Sequence, residues 1–213
     1  MREARLTTDN HVVPTPELFP DAAFDVVALA SSAGGLTALS EVLAYLPSDF
    51  PAALVVMQHL DPRHRSLMAE ILNRRTPLPV QEAEDGNHLL SGRVFIAPPN
   101  RHLLVNSDAT ISLSQSELVH FVRPSADLLF ESVAASYKDR AIAVVLTGSG
   151  SDGSMGVRAI KKMGGTVIVQ DEKTSEFFGM PGAAIQTGNV DFILPLAEIS
   201  PALVTLVMKG DAK

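Results

Sequence analysis

Short runs of aliphatic and β-branched residues alternate along this chain with stretches whose apolar residues recur at helical spacing. That alternation limits its fold more than any other feature. "DVVALA" (25–30) precedes "GGLTALSEVLAYL", in which Leu36, Leu39, Leu43 and Leu46 stand near helical spacing. "AALVVMQ" (52–58) precedes the amphipathic "RHRSLMAEILNRR" (63–75). After a middle region the pattern resumes with helix "PSADLLFESVAASYK", strand "AIAVVLT", helix "DGSMGVRAIKKM" and strand "TVIVQ". A helix-like "GMPGAAIQT", a strand "VDFILP" and a helix "EISPALVTLVMK" follow. Strands that read as unbroken apolar runs are buried on both faces, and helices between them supply the cover. The middle differs: "PLPVQEA", "GRVFIAP", "HLLVN" and "ATISLS" are separated by Asn, Asp, Gly and Pro and read as hairpin strands. The expected fold is a doubly wound α/β domain: a mostly parallel sheet, helices on both faces and an antiparallel hairpin insert. It would occupy residues 24–213. Residues 1–23, with Pro14, Pro16 and Pro20, show no lasting period and read as an arm.

Composition narrows the function classes. A net charge of −7 speaks against a phosphate-backbone binder, which needs a basic face. The chain has no cysteine, so disulfides, zinc–thiolate sites and a cysteine nucleophile are excluded. The first residues lack the apolar core of a signal peptide, and no run reaches the roughly 18 apolar residues of a membrane span. A cytoplasmic protein is expected.

Chemistry is sought beyond the carboxyl ends of the strands, where open parallel sheets bind their ligands. "VVLTGSGSDGSMG" (144–156) carries Gly148-x-Gly150-x-x-Gly153 after a strand and before a helix, with Asp171 further on. This is the form of a dinucleotide fingerprint, but Asp152 inside the glycines offers another use. The first strand delivers "ASSAGG" with Ser31 and Ser32, the second delivers "QHLDP" with His59, and this later one delivers Asp152. A serine hydroxyl needs an imidazole to take its proton, and the imidazole needs a carboxylate to fix its tautomer. "Ala30-Ser31-Ser32-Ala33-Gly34" has the form of a nucleophile elbow with alanine for its first glycine. Each piece has a plainer reading: the serine turn as a helix N-cap, His59 as a structural hydrogen-bonder, Asp152 as the cap of the helix it opens. His59, Asp61 and His64 in "HLDPRH" form a possible metal set, against which Pro62 and the missing cysteines speak.

At these three turns the sequence closely resembles the CheB-type protein-glutamate methylesterases of bacterial chemotaxis. The stretches that carry the resemblance are "LASSAGG", "VVMQHLDP" and "VVLTGSGSDG", then "VFIAPPNRHL", "RPSADLLFESVA" and "FGMPGAA", in matching order from Asp25 to Leu196. The resemblance implies a nucleophile at Ser32, a base at His59 and an orienting carboxylate at Asp152. It implies oxyanion contacts from the backbone at Ser149 and Ala33, and no metal or organic cofactor. Arg101, His102, Arg123 and Met180 lie in loops it places near the site, as substrate contacts or, on the plainer view, as solvated arginines and packing. The implied partners are chemoreceptors, through their cytoplasmic helices; nucleic acid and direct membrane insertion are not expected, and a separate regulatory partner is left open. The implied reaction is hydrolysis of glutamyl methyl esters, with glutamine deamidation at the same kind of site. Alternatives are an esterase of the same mechanism acting elsewhere, or a non-catalytic module. Ser149 stands where the family often has methionine, and Ser31 where it has alanine. Regulated members carry a receiver domain ahead of the esterase domain; residues 1–23 are too few for one, so activity without a phosphodonor is expected.

Overall fold

The computed structural model describes residues 23–60, 66–119 and 122–208. In chain order the elements are β1 (Val26–Ser31), α1 (Gly35–Ala44), β2 (Ala53–Gln58), α2 (Met68–Asn73), β3 (Val80–Glu82) and β4 (Val94–Ile96). Then come β5 (His102–Val105), β6 (Ile111–Ser114), α3 (Ala126–Tyr137), β7 (Ala141–Val145) and α4 (Ser154–Lys162). The chain continues through β8 (Thr166–Gln170), α5 (Gly179–Gln186), β9 (Phe192–Leu194) and α6 (Leu196–Val207). Seven strands form one sheet in the order β3-β4-β2-β1-β7-β8-β9, with every pairing parallel. β5 and β6 form a separate antiparallel pair. This is the expected doubly wound fold with its hairpin.

The continuous apolar runs have the predicted cause. β1, β2 and β7 are buried at every residue, because side chains alternate between two covered faces. Val27, Leu29, Leu54, Val56 and Val144 pack under α1 and α6, against Leu39, Leu43 and Leu203. Val26, Ala28, Val55 and Val145 face the other way, toward Phe130 and Val133 of α3, Val157 of α4 and Leu103 of the hairpin. The chain leaves β1 toward β2 but leaves β7 toward β8, so the connections after these neighbouring strands diverge. That divergence opens a crevice at their carboxyl ends, the switch point where such sheets bind ligands.

Two of the expected hairpin strands belong elsewhere. "PLPVQEA" and "GRVFIAP" supply β3 and β4, which lie parallel at the sheet edge next to β2. The turn chemistry of Glu84, Asp85, Gly86 and Asn87 is real, but it bends the link toward β6. There Gly86 N donates to Ile111 O and Leu89 N to Ala109 O. Only "HLLVN" and "ATISLS" make the hairpin. The expected second helix shortens to α2, and residues 61–65, including Asp61 and His64, lie outside the described residues. So does the expected arm except for Ala23, whose amide donates to Val207 O. No described helix is long and apolar enough to cross a membrane.

Candidate active site

β1 ends in a turn whose conformation is held from both neighbouring strands. Ser32 N donates to Thr147 O just past β7 (3.0 Å), and Gly35 N donates back to Ser32 O (2.8 Å). From the β2 side, Gln58 Nε2 donates to Ser32 O (2.7 Å) and His59 O (3.1 Å), and its Oε1 accepts from Ser31 Oγ. The two serines therefore differ: Ser31 is fully buried and bound to Gln58, whereas Ser32 lines an open cavity. Neither caps α1, whose N-cap is Gly34 in the left-handed region at φ 77°. A glycine suits that conformation, since a Cβ costs energy there.

His59 follows β2 directly, and its Nε2 lies 2.9 Å from Oδ2 of Asp152. A carboxylate can only accept, so this nitrogen carries the proton and Nδ1 is the free acceptor of the neutral ring. Asp152 is 4% exposed and takes more than the histidine. Oδ2 also accepts from Ala126 N (2.7 Å), while Oδ1 accepts from Ser125 Oγ (2.9 Å) and Asp127 N (3.1 Å). Burial pushes its carboxyl upward; the hydrogen bonds from His59 and the two amides outweigh burial and hold it below the ordinary aspartate value. Asp152 does cap a helix, as the plainer reading had it, but the helix is α3 and not α4.

Ser32, His59 and Asp152, from three strand ends, line one cavity of about 380 Å³ together with Val122, Ser149, Gly150 and Ser151. Among the described residues, the lining holds no lysine or arginine. Among the described residues, no hydrogen bond joins Ser32 Oγ to His59, and the amides of Ala33 and Ser149 donate to nothing. Unengaged amides beside a reactive hydroxyl can receive a developing oxyanion. The described residues contain no cluster of metal-ligating side chains.

The glycines of the apparent dinucleotide fingerprint serve the turn itself: Gly148 close packing, Gly150 and Gly153 a positive φ. A Cβ at Gly148 would collide with Met180 Sδ and come 2.9 Å from Ser32 Cβ. One at Gly153 would meet Ala126 Cβ at 3.3 Å, at a backbone φ of +97°. Asp171 accepts from the backbone and hydroxyl of Thr174 in its own turn (3.0 and 2.6 Å).

The four loop residues separate. Arg101 is exposed. Arg123 spends its guanidinium on Asn100 Oδ1 and on the carbonyls of Gln115 and Ser116, pinning the strand of chain that leads to Val122. His102 is fully buried at the start of β5, where Nε2 lies 3.1 Å from Glu117 O. Burial lowers its pKa more than the bond with Glu117 O raises it, with lesser effects of Arg123 downward and Asp152 upward. Met180 is 1% exposed beneath Gly148. His102 and Met180, read from the sequence as substrate contacts or, for Met180, as packing, are both buried inside packed elements. Sequence reasoning missed Gln58, Gln170 and Ser125. The available signal was a polar side chain ending a buried strand: Gln58 ends β2, and Gln170, fully buried, ends β8 and accepts from Thr147 N (2.8 Å).

Comparison with known proteins points to one family. The family model described as CheB methylesterase matches residues 27–203. A Moorella thermoacetica protein-glutamate methylesterase/protein-glutamine glutaminase is 43% identical over 86% of this chain, which spans 44% of that protein's length. A Leptospira interrogans relative is 39% identical over 86% of this chain and 95% of its own. The crystal structure of the Thermotoga maritima CheB methylesterase catalytic domain superposes with a TM-score of 0.83 at 38% identity, covering 86% of this chain and 99% of that one. A family match over most of the chain, a shared fold and a serine, histidine and aspartate in one crevice lead to one conclusion: this chain belongs to the CheB methylesterase family of ester hydrolases.

Proposed function

We propose that this protein hydrolyses methyl esters of glutamyl side chains on chemoreceptor helices in the cytoplasm, with Ser32 as nucleophile, His59 as base and Asp152 as the orienting carboxylate. The observation that carries the reading is the shared cavity of Ser32 and His59, with His59 Nε2 tied to Asp152 at 2.9 Å. Ser32 Oγ attacks the ester carbonyl and its proton passes to His59 Nδ1. The oxyanion is received by the amides of Ala33 and Ser149. The intermediate collapses, the C–O bond to methoxide breaks, and His59 returns the proton so that methanol leaves. Water then repeats the sequence on the acyl-serine, releasing the glutamate side chain and restoring Ser32. Asp152 remains ionised throughout and stabilises the imidazolium.

A glutamine amide reaches the same acyl-serine with ammonia as leaving group, so deamidation fits the same residues. Methanol release from purified methylated receptors tests the substrate. Stoichiometric release by the wild type and none by Ser32→Ala is expected. No release from receptors, with turnover of a small ester, would move the reaction to another substrate.

A further inference from the structure

Outside the residues that meet the cavity, one group is built into the site from behind. Asp127, 3% exposed in the first turn of α3, sends its carboxylate to the neighbouring helix. Oδ1 accepts from Met155 N (2.9 Å) and Gly156 N (2.8 Å), in the first turn of α4. Asp152, in the turn that opens α4, accepts in the other direction from the first turn of α3. Each carboxylate thus caps the partner helix, and the two caps close a ring: Asp152 to Asp127 N, Asp127 Oδ1 to the α4 amides, and the chain back to Asp152. The ring requires close helices. A Cβ on Gly156 would stand 2.5 Å from Phe130 Cβ and 3.1 Å from Asp127 O.

We infer that Asp127 is a positioning residue for the reaction: its cross-cap fixes α4 against α3 and so holds Asp152 at the depth and angle at which it meets His59. The inference rests on the Ser32–His59–Asp152 reading for its consequence in catalysis, though the ring itself is independent of substrate. A carboxylate that can swing away leaves the imidazole free to turn, and a displacement of about 1 Å at a reacting group costs on the order of 10²-fold in rate.

The two ways in which Asp127 influences Asp152 have opposite signs. Removing only its negative charge makes ionisation of Asp152 easier and lowers that carboxyl further. Removing its acceptor loosens the α3 amides from Asp152 and raises it toward the ordinary range. The test follows the carboxyl carbon of Asp152 by NMR through an acid titration of the whole chain, beside kcat and KM on methylated receptor. Asp127→Ala should raise the Asp152 titration and lower kcat by tens- to a hundredfold with KM little changed. Gly156→Ala, which alters no charge and pushes the helices apart, should do the same. Asp127→Asn keeps an acceptor for the two amides and should leave the titration at or below the wild-type position, with most turnover retained. A folded Asp127→Ala or Gly156→Ala with the wild-type titration overturns the inference, as does Asp127→Asn rising as far as Asp127→Ala. Were the wild type inactive on receptor while the titrations moved as described, the substrate reading would fail and the positioning role would stand. An active wild type with unmoved titrations gives the converse.

Discussion

Replacing Gln58 with alanine tests how Ser32 and His59, the proposed nucleophile and base, are kept in register. Gln58 is 7% exposed and bridges three groups that β1 and β2 present at their ends. Without its carboxamide, Ser31 Oγ loses its acceptor at zero exposure, a loss of about 1–3 kcal/mol for a buried unsatisfied group. Ser32 O keeps its bond from Gly35 N at 2.8 Å, so the missing second donor costs about 1 kcal/mol there. His59 O is half-buried and water can replace its partner. The expected destabilisation is about 2–4 kcal/mol, or about 5–15 °C in Tm for a domain of this size. Turnover should fall further than the loss of folded protein explains, on the order of 10²-fold, because Ser32 and His59 no longer share a tether. Urea unfolding and ester turnover on the same preparations measure the two effects. In the Ser31→Ala/Gln58→Ala double variant the orphaned hydroxyl is gone, and its cost should be less than the two single losses together by at least the about 1–3 kcal/mol of that hydroxyl. A Gln58→Ala protein with Tm within about 2 °C of wild type and turnover within a few-fold would refute the tether.

Ser31→Ala should keep most of the turnover, since its hydroxyl faces Gln58, but lose about 1 kcal/mol of stability by urea unfolding. Asp152 is held below its unfolded value, so its stabilisation is complete above about pH 4 and disappears as pH falls through the folded value. Asp152→Asn should therefore show a shallower loss of stability below about pH 4 than wild type in acid unfolding; equal slopes would deny that the carboxylate is held in this way. Arg101→Glu should lower kcat/KM on an acidic receptor face and weaken its dependence on salt, while leaving Tm in place. Arg123→Glu should instead lower Tm, because it removes the bonds to Asn100, Gln115 and Ser116; the reverse pattern would exchange the two roles.

The central sheet was legible because β1, β2, β7 and β8 are continuous apolar runs, each followed by a helix, and short-range pattern alone specifies that. β3 and β4 were not, because three-residue strands carry almost no period and owe their direction to pairing, β4 with β2 and the edge strand β3 with β4. Ser32, His59 and Asp152 were legible as chemistry-bearing residues in the turns that follow buried strands. Their meeting is a consequence of the switch point between β1 and β7. What Asp152 caps was illegible: its amide partners lie 25 and 26 residues away, on a helix no local signal connects to it. Gln58 and Asp127 escaped for the same reason, since each acquires its role only when strands or helices distant in the chain are side by side. The burial of His102 and Met180 was not legible, because a loop motif does not reveal which of its side chains turn inward.

The identity of the nucleophile is tested most directly by treating the intact chain with a serine-directed phosphonate and locating the adduct by mass spectrometry. One adduct, on Ser32, is the expected result, absent from Ser32→Ala and formed far more slowly in His59→Ala. An adduct on Ser31, Ser149 or Ser151, or equal labelling of Ser32→Ala and wild type, would contradict the assignment of the site.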